Sequence, residues 1–221
     1  MAKVLNWIKQ NKWNILAVGL ATLMLIVDIV TKQVIMHHFG QPTVNGNGSI
    51  VLIPNFLRIS YVLNVNAAFG FGFGSELTNR IVYIIFASIG FIALVGVFIW
   101  KNKKLRTLYK VCLLLIASGA IGNLIDRIFY APVYGVVDWI DFYGIWPFVF
   151  NIADSCVVVG AILMMILLII EEVKEYLAKK KAKETAGEVE NNEKVLSVEE
   201  QKRLEAKEEK AETPAENEEN K

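Results

Sequence analysis

The sequence predicts a mainly α, polytopic membrane protein: four transmembrane helices with a small extracytoplasmic β-rich segment between helices 1 and 2. Hydrophobic residues make up 54% of the 221, although the last ~fifty hold few large apolar side chains. The apolar residues collect in four charge-poor runs, each about long enough at 1.5 Å per residue to cross ~30 Å of hydrocarbon. Between the first two runs lies a stretch of turn formers and β-branched residues instead.

Residues 1–13 place Lys3, Lys9 and Lys12 beside Trp7 and Trp13, the pattern of an amphipathic segment at a membrane surface. The first span is predicted over about 14–36, with no small-x-small cleavage site after its apolar core. Asp28 and Lys32, four apart, share a helix face and are expected to pair. The segment 40–79 opens with GQPTVNGNGS, runs through Ser49 to Leu63 with a break at Pro54, and ends in a Gly-Phe repeat. A small sheet or ribbon is expected there, with Phe69, Phe71 and Phe73 as an apolar strip facing lipid or substrate.

Residues 81–100 form twenty consecutive uncharged positions, the second span. The third, 111–129, contains Ser118, Gly119, Ala120 and Gly122, small residues that let helices approach closely. Residues 130–148 are predicted as an interfacial loop, and 150–170 as the fourth span. Residues 14–170 thus form a four-helix membrane domain, followed over 171–221 by a charged tail, helical at first and then disordered towards TPAENEENK.

Formal charge separates the regions. Residues 1–170 carry 12 Lys+Arg against 6 Asp+Glu, and residues 171–221 carry 11 against 16. Four spans put both termini on one side, and Lys101–Lys110 and Lys174–Lys183 mark that side as cytoplasmic. A basic membrane domain suits anionic lipid, and nothing resembles a nucleic-acid footprint. Cys112 and Cys156 lack metal-ligand or C-x-x-C spacing and are expected as buried thiols, and His37-His38 lacks an H-E-x-x-H context, so neither metal nor cofactor is expected.

Of the six acids before the tail, four lie between Ser118 and Ser155: Asp126, Asp138, Asp141 and Asp154. A carboxylate at membrane depth costs roughly 2.5–3.5 kcal/mol on insertion scales, so acids clustered at one membrane face mark a functional site. Two carboxyls at close range hold one proton between them at neutral pH, a base beside an acid, which suffices to activate water on an amide. Asp154, in the first turn of span four, is one candidate. Its partner is Asp138 or Asp126, and spacing alone does not choose. Asp126 has its simplest partner in the adjacent Arg127, and Asp141 is expected as a surface bystander.

Four blocks now bear on that choice: Asp28-x-x-Thr-Lys32; Asn55-Phe-Leu with Tyr61-Val-Leu-Asn64-Val-Asn-Ala-Ala-Phe69; Gly119 to Arg127 with Val136-Val-Asp138; and Phe150-Asn151-Ile-Ala-Asp154-Ser155. In order and spacing they resemble lipoprotein signal peptidase, signal peptidase II, the membrane aspartic peptidase of bacterial prolipoproteins, over about Leu25 to Gly160. The resemblance implies Asp138 and Asp154 as the catalytic pair, with Asp28, Lys32, Asn64, Asn123, Asp126, Arg127 and Asn151 as substrate-binding or supporting residues. It further implies a diacylglyceryl-prolipoprotein substrate cut on the N-terminal side of the modified cysteine, in the bacterial cytoplasmic membrane, with the site near the outer leaflet. A monomer in contact with membrane lipids is expected. The sequence departs from the family pattern at Asn66, where glycine is usual, at Ser118 in a Gly-Gly pair, and at Trp139 in place of Phe; Asn66 is expected to preserve the turn by tolerating positive φ.

Two other readings compete. One is a Ser/Lys peptidase with Lys32 as general base for Ser60 or Ser155, although neither serine stands in a nucleophile motif. The other is a small proton- or ion-coupled carrier, which expects mid-bilayer acids and internal repeats.

Overall fold

The computed structural model describes residues 2–40, 48–66, 72, 74–129 and 135–212. Phe69, Phe71, Phe73 and the tail end 213–221 lie outside the described residues. The element order is α1 (Ala2–Phe39), β1 (Ser49–Ile53), β2 (Leu57–Asn64), α2 (Glu76–Lys101), α3 (Thr107–Phe129), β3 (Val136–Asp141), β4 (Val149–Phe150) and α4 (Ile152–Glu212). All four helices are long and apolar enough to cross a membrane. The chain divides into two compact units, Met1–Leu167 and Leu168–Lys221.

The surface segment expected over 1–13 is not a separate element. It continues without a break into the first span, because nothing between Lys12 and Ile15 interrupts helix propensity, and α1 reaches 38 residues. Helix α2 begins earlier than its apolar run, at an N-cap where the Ser75 side chain accepts from the Thr78 N–H. Arg80, in its first turns, donates to the carbonyls of Arg127 (2.7 Å) and Ile128 (3.1 Å), so the start of α2 caps the end of α3.

Helix α3 is the central element, packed against α1 and α2, and its small residues bring it close to α4. A Cβ on Gly119 would stand 2.2 Å from the Ala153 carbonyl oxygen, and one on Gly160 2.8 Å from Ile116. Gly119 is therefore the member of the expected glycine pair that packing requires. Ser118 is accommodated because its hydroxyl donates back to the Leu115 carbonyl (2.8 Å).

The β-rich region forms a four-stranded antiparallel sheet in the order β1-β2-β3-β4. Pro54 and Asn55 make the β1–β2 turn: the Phe56 N–H donates to the Ile53 carbonyl, and Asn55 takes φ +56°, the left-handed region in which Asn is tolerated. One strand, β3, comes from 130–148, expected as a loop, and β4 follows directly at Val149–Phe150. Val136–Asp141 alternates enough to pair with β2, and the aromatics and turn formers between β3 and β4 hid that strand.

Period-two alternation then divides the sheet's faces. Tyr61, Leu63 and Val137 pack with Ile35 of α1 into a buried core, with Trp139 against it. Asp138 and Asn64 point to the opposite face, because Asp138 opposes Val62 and Asn64 is two residues on.

In the second unit the helix gains charge from Glu171 onward, with i,i+4 pairs Glu175–Lys179 (2.6 Å) and Lys180–Glu184 (3.8 Å).

Candidate active site

The site assembles from the N-terminus of α4. Asn151 is its N-cap. The Asn151 Oδ1 accepts from the Asp154 N–H (2.8 Å), and the Asp154 carboxylate accepts from the Asn151 N–H (3.2 Å), a reciprocal capping box. Asp154 is thereby held by the same local chemistry that starts the helix. A third orphan donor of that terminus, the Ala153 N–H, is satisfied from α1 by Asp28 Oδ1 (2.8 Å).

Asn151 also reaches across to β3. Its Nδ2 donates to Asp138 Oδ1 (2.7 Å), with Asn123 Oδ1 (3.1 Å) and the Val137 carbonyl (3.3 Å) nearby. Asn151 is fully buried, and so is Asp138 at 1% exposure. The other Asp138 oxygen, Oδ2, accepts from Asn64 Nδ2 (2.9 Å) on the same sheet face. Asp154 Oδ1 accepts from Asn123 Nδ2 (2.7 Å). Both carboxylates are thus held by neutral amides, and among the described residues neither has an ion-pair partner. Burial pushes the Asp138 carboxyl well above the usual carboxylate range, and the nearby Asp154 charge pushes it further.

Beneath the pair lies an ionic cluster. Lys32 Nζ stands 2.7 Å from Asp28 Oδ2, as the i,i+4 spacing predicts, and 2.9 Å from Asp126 Oδ2. It also donates to Asn123 Oδ1 (3.1 Å). An ammonium only donates, so Lys32 orients the Asn123 amide with its oxygen inward and its NH2 towards Asp154. Gly122 makes room for this cluster, since a Cβ there would lie 2.7 Å from Asp28 Oδ2.

Two expectations are corrected. Asp126 does not pair with its neighbour Arg127. Successive helical residues diverge by about 100°, so Asp126 meets Lys32 and the Val137 N–H (3.2 Å), whereas Arg127 donates to the Asn66 carbonyl (2.7 Å) and lies over Tyr83 (4.6 Å). Nor is Asp141 a surface bystander: at 4% exposure it accepts from Arg58 and from the Ser60 hydroxyl (2.8 Å), tying β3 to β2. It escaped notice because β3 itself was not legible.

Asn66 is not in the left-handed region, where Asn55 is the one non-glycine among the described residues. Its N–H donates to Asn64 Oδ1 (3.0 Å), and its side chain accepts from Asn79 (3.0 Å). The site residues expected from sequence thus come together in one hydrogen-bonded network, with Arg127 joining it through Asn66. Asn79 was missed, being an amide in an otherwise unremarked first helical turn. Cys112 and Cys156 are buried free thiols.

The model of signal peptidase (SPase) II matches residues 20–170. The chain belongs to the signal peptidase II family. It is similar to the lipoprotein signal peptidases of Desulfitobacterium hafniense, 42% identical over 67% of this chain and 89% of the relative, and of Fusobacterium nucleatum, 32% identical over 69% and 86%. Among solved structures it is similar to a bacterial membrane enzyme determined by the in meso method at 2.3 Å resolution, with a TM-score of 0.58 and 33% identity over 71% of this chain and 88% of that one. A second such structure, at 1.9 Å resolution, matches with a TM-score of 0.56 at 34% identity over 69% and 91%. Membership makes the chain a peptidase, in a multi-pass bacterial membrane protein.

Proposed function

We propose that this chain is an aspartic endopeptidase that cleaves signal peptides from prolipoproteins on the N-terminal side of the diacylglyceryl-modified cysteine, with Asp138 and Asp154 as the catalytic pair. The observation that carries the reading is Asn151, one buried residue that donates to both carboxylates, from its side chain to Asp138 and from its backbone N–H to Asp154, where among the described residues neither has an ion-pair partner. Such a pair shares a proton at neutral pH.

In the proposed reaction, the ionised carboxylate takes a proton from water as the water oxygen bonds to the scissile carbonyl carbon. The protonated partner gives its proton to the carbonyl oxygen, producing a tetrahedral diol. The carboxyl that took the water's proton gives it to the amide nitrogen, and as the C–N bond breaks a diol hydroxyl returns its proton to the pair, which is back in its one-proton state. Among the described residues the buried Arg127 Nη1 has no hydrogen-bond partner, which leaves it a donor for a substrate carbonyl. The basic loop Lys101–Lys110 supports a cytoplasmic side for both termini and the 171–221 tail, which puts residues 14–170 across the bilayer with the pair near the outer leaflet. From there acyl chains reach the site from lipid.

The Ser/Lys alternative is disfavoured by the commitments of its parts. Lys32 is enclosed by two carboxylates, Ser60 donates to Asp141, and Ser155 donates to the Asn151 carbonyl (2.9 Å). The carrier reading has no repeat to support it.

A gel-shift assay on a diacylglyceryl prolipoprotein tests the proposal. Asp138→Asn and Asp154→Asn are each expected to lower turnover by about 10²–10⁴-fold with membrane insertion intact. Substantial cleavage by either variant removes the dyad assignment.

A further inference from the structure

We propose that Asn79, on the first turn of α2, is a positioning residue for Asp138, acting through Asn66 and Asn64. The inference rests on the dyad reading above. Asn79 Nδ2 donates to Asn66 Oδ1 (3.0 Å), the Asn66 N–H donates to Asn64 Oδ1 (3.0 Å), and Asn64 Nδ2 donates to Asp138 Oδ2 (2.9 Å). The first link holds Asn66 in place, and the second fixes the polarity of the third. Once Asn64 Oδ1 accepts from Asn66, its Nδ2 is the end left for the carboxylate, and the amide cannot flip without losing both bonds.

The relay is built rather than incidental. Asn79 is buried at 2% exposure, where an unsatisfied amide is costly. The Asn66 carbonyl is held separately by Arg127 (2.7 Å), so the residue is clamped at its backbone and at its side chain by different helices. Gly72 closes over the amide pair: a Cβ there would fall 2.9 Å from Asn66 Oδ1 and 3.0 Å from Asn79 Nδ2. The side-chain link exists because Asn66 stands where the family pattern has glycine, which offers no oxygen to Asn79. This chain therefore ties α2 to the reacting carboxylate by a bond that a glycine at 66 lacks.

The charged groups facing Asp138 are Asp154 from α4, Lys32 from α1 and Arg127 from α3, and none is altered by changing Asn79. A loosened Asn64 donor stabilises the Asp138 carboxylate less, so the pH limb governed by Asp138 moves upward.

The test is kcat and KM against pH on the purified full chain with a diacylglyceryl prolipoprotein, for wild type, Asn79→Ala, Asn66→Gly, the double variant and Gly72→Ala, with unfolding midpoints in parallel. Asn79→Ala is expected to lower kcat about fivefold with KM little changed and to shift the Asp138 limb to higher pH. Asn79→Ala made on Asn66→Gly is expected to shift the Asp138 limb no further, because the Asn79–Asn66 bond is already gone. Gly72→Ala, which forces the amides apart without removing either, is expected to move the limb in the same direction. An equal limb shift from Asn79→Ala in both backgrounds, or limbs that coincide with wild type in both Asn79→Ala and Gly72→Ala, overturns the relay. If Asp138→Asn remains active, the dyad reading itself fails; if it is inactive while the Asn79→Ala profile matches wild type, only the relay fails.

Discussion

The five aspartates of this chain fall into two sets with opposite surroundings. Asp28 and Asp126 share Lys32 at 2.7 and 2.9 Å, and Asp141 lies against Arg58. Asp138 and Asp154 receive neutral amide and backbone donors. An ion pair requires the charged form and is lost when a proton is added. An amide donor leaves the carboxyl able to exchange a proton, because a carboxylic acid still accepts at its carbonyl oxygen. The first set suits architecture and the second suits chemistry, though both draw on the same residue type within a few turns of one another.

The largest effect that tests this contrast is expected at Lys32. Lys32→Met leaves Asp28 and Asp126 buried without their cation, and breaking such a cluster costs about 3–5 kcal/mol. It also releases Asn123, so turnover falls with stability. Unfolding of the purified protein in detergent measures the loss; a wild-type midpoint in Lys32→Met would show that the cluster is not structural.

A smaller effect is expected at Asp141. Asp141→Asn weakens the bonds from Arg58 and Ser60, charge-assisted contacts worth about 1.5–3 kcal/mol in total effect. Arg58 is a third exposed, which puts the outcome at the lower end. Turnover is expected to stay within about twofold of wild type once compared at matched folded fraction. Asp138→Asn should give the reverse, activity lost with the fold retained. If Asp141→Asn abolishes cleavage in fully folded protein, the division into two sets is wrong.

The sequence made the helices legible because charge-free runs of about twenty residues have few alternatives. It made the Asp28–Lys32 pair legible because i,i+4 is a local geometry. What it hid was non-local. Asp126 looked paired to Arg127 because they are adjacent, yet the helix turns them apart and the true partner lies on α1. β3 was masked by the Pro, Gly and aromatic residues around it, and Asp141's burial followed from a strand that short-range reasoning did not see. The choice of Asp138 came from resemblance rather than spacing. Its physical basis, the sheet face shared with Asn64 and the Asn151 bridge, needs the register of two strands distant in sequence.

The smallest effect is the most specific to the amide-held set. Burial first, and the neighbouring Asp154 charge second, hold the Asp138 carboxyl well above its ordinary range. Between the ordinary value and the raised one, the folded protein therefore binds more protons than the unfolded chain. Stability falls as pH rises through that window, by at most about 1.4 kcal/mol per pH unit. The contribution is fully present below the ordinary carboxylate range and lost above the raised value. Asp138→Asn has nothing to ionise at this position, so its unfolding midpoint should depend less on pH than that of wild type, and the two curves should diverge from pH 5 to pH 8 with the variant relatively more stable at the upper end. Groups common to both proteins largely cancel in this difference. Midpoints of wild type and Asp138→Asn that run parallel from pH 5 to pH 8 would place Asp138 with the ion-paired acids or with solvent, and would dissolve the contrast.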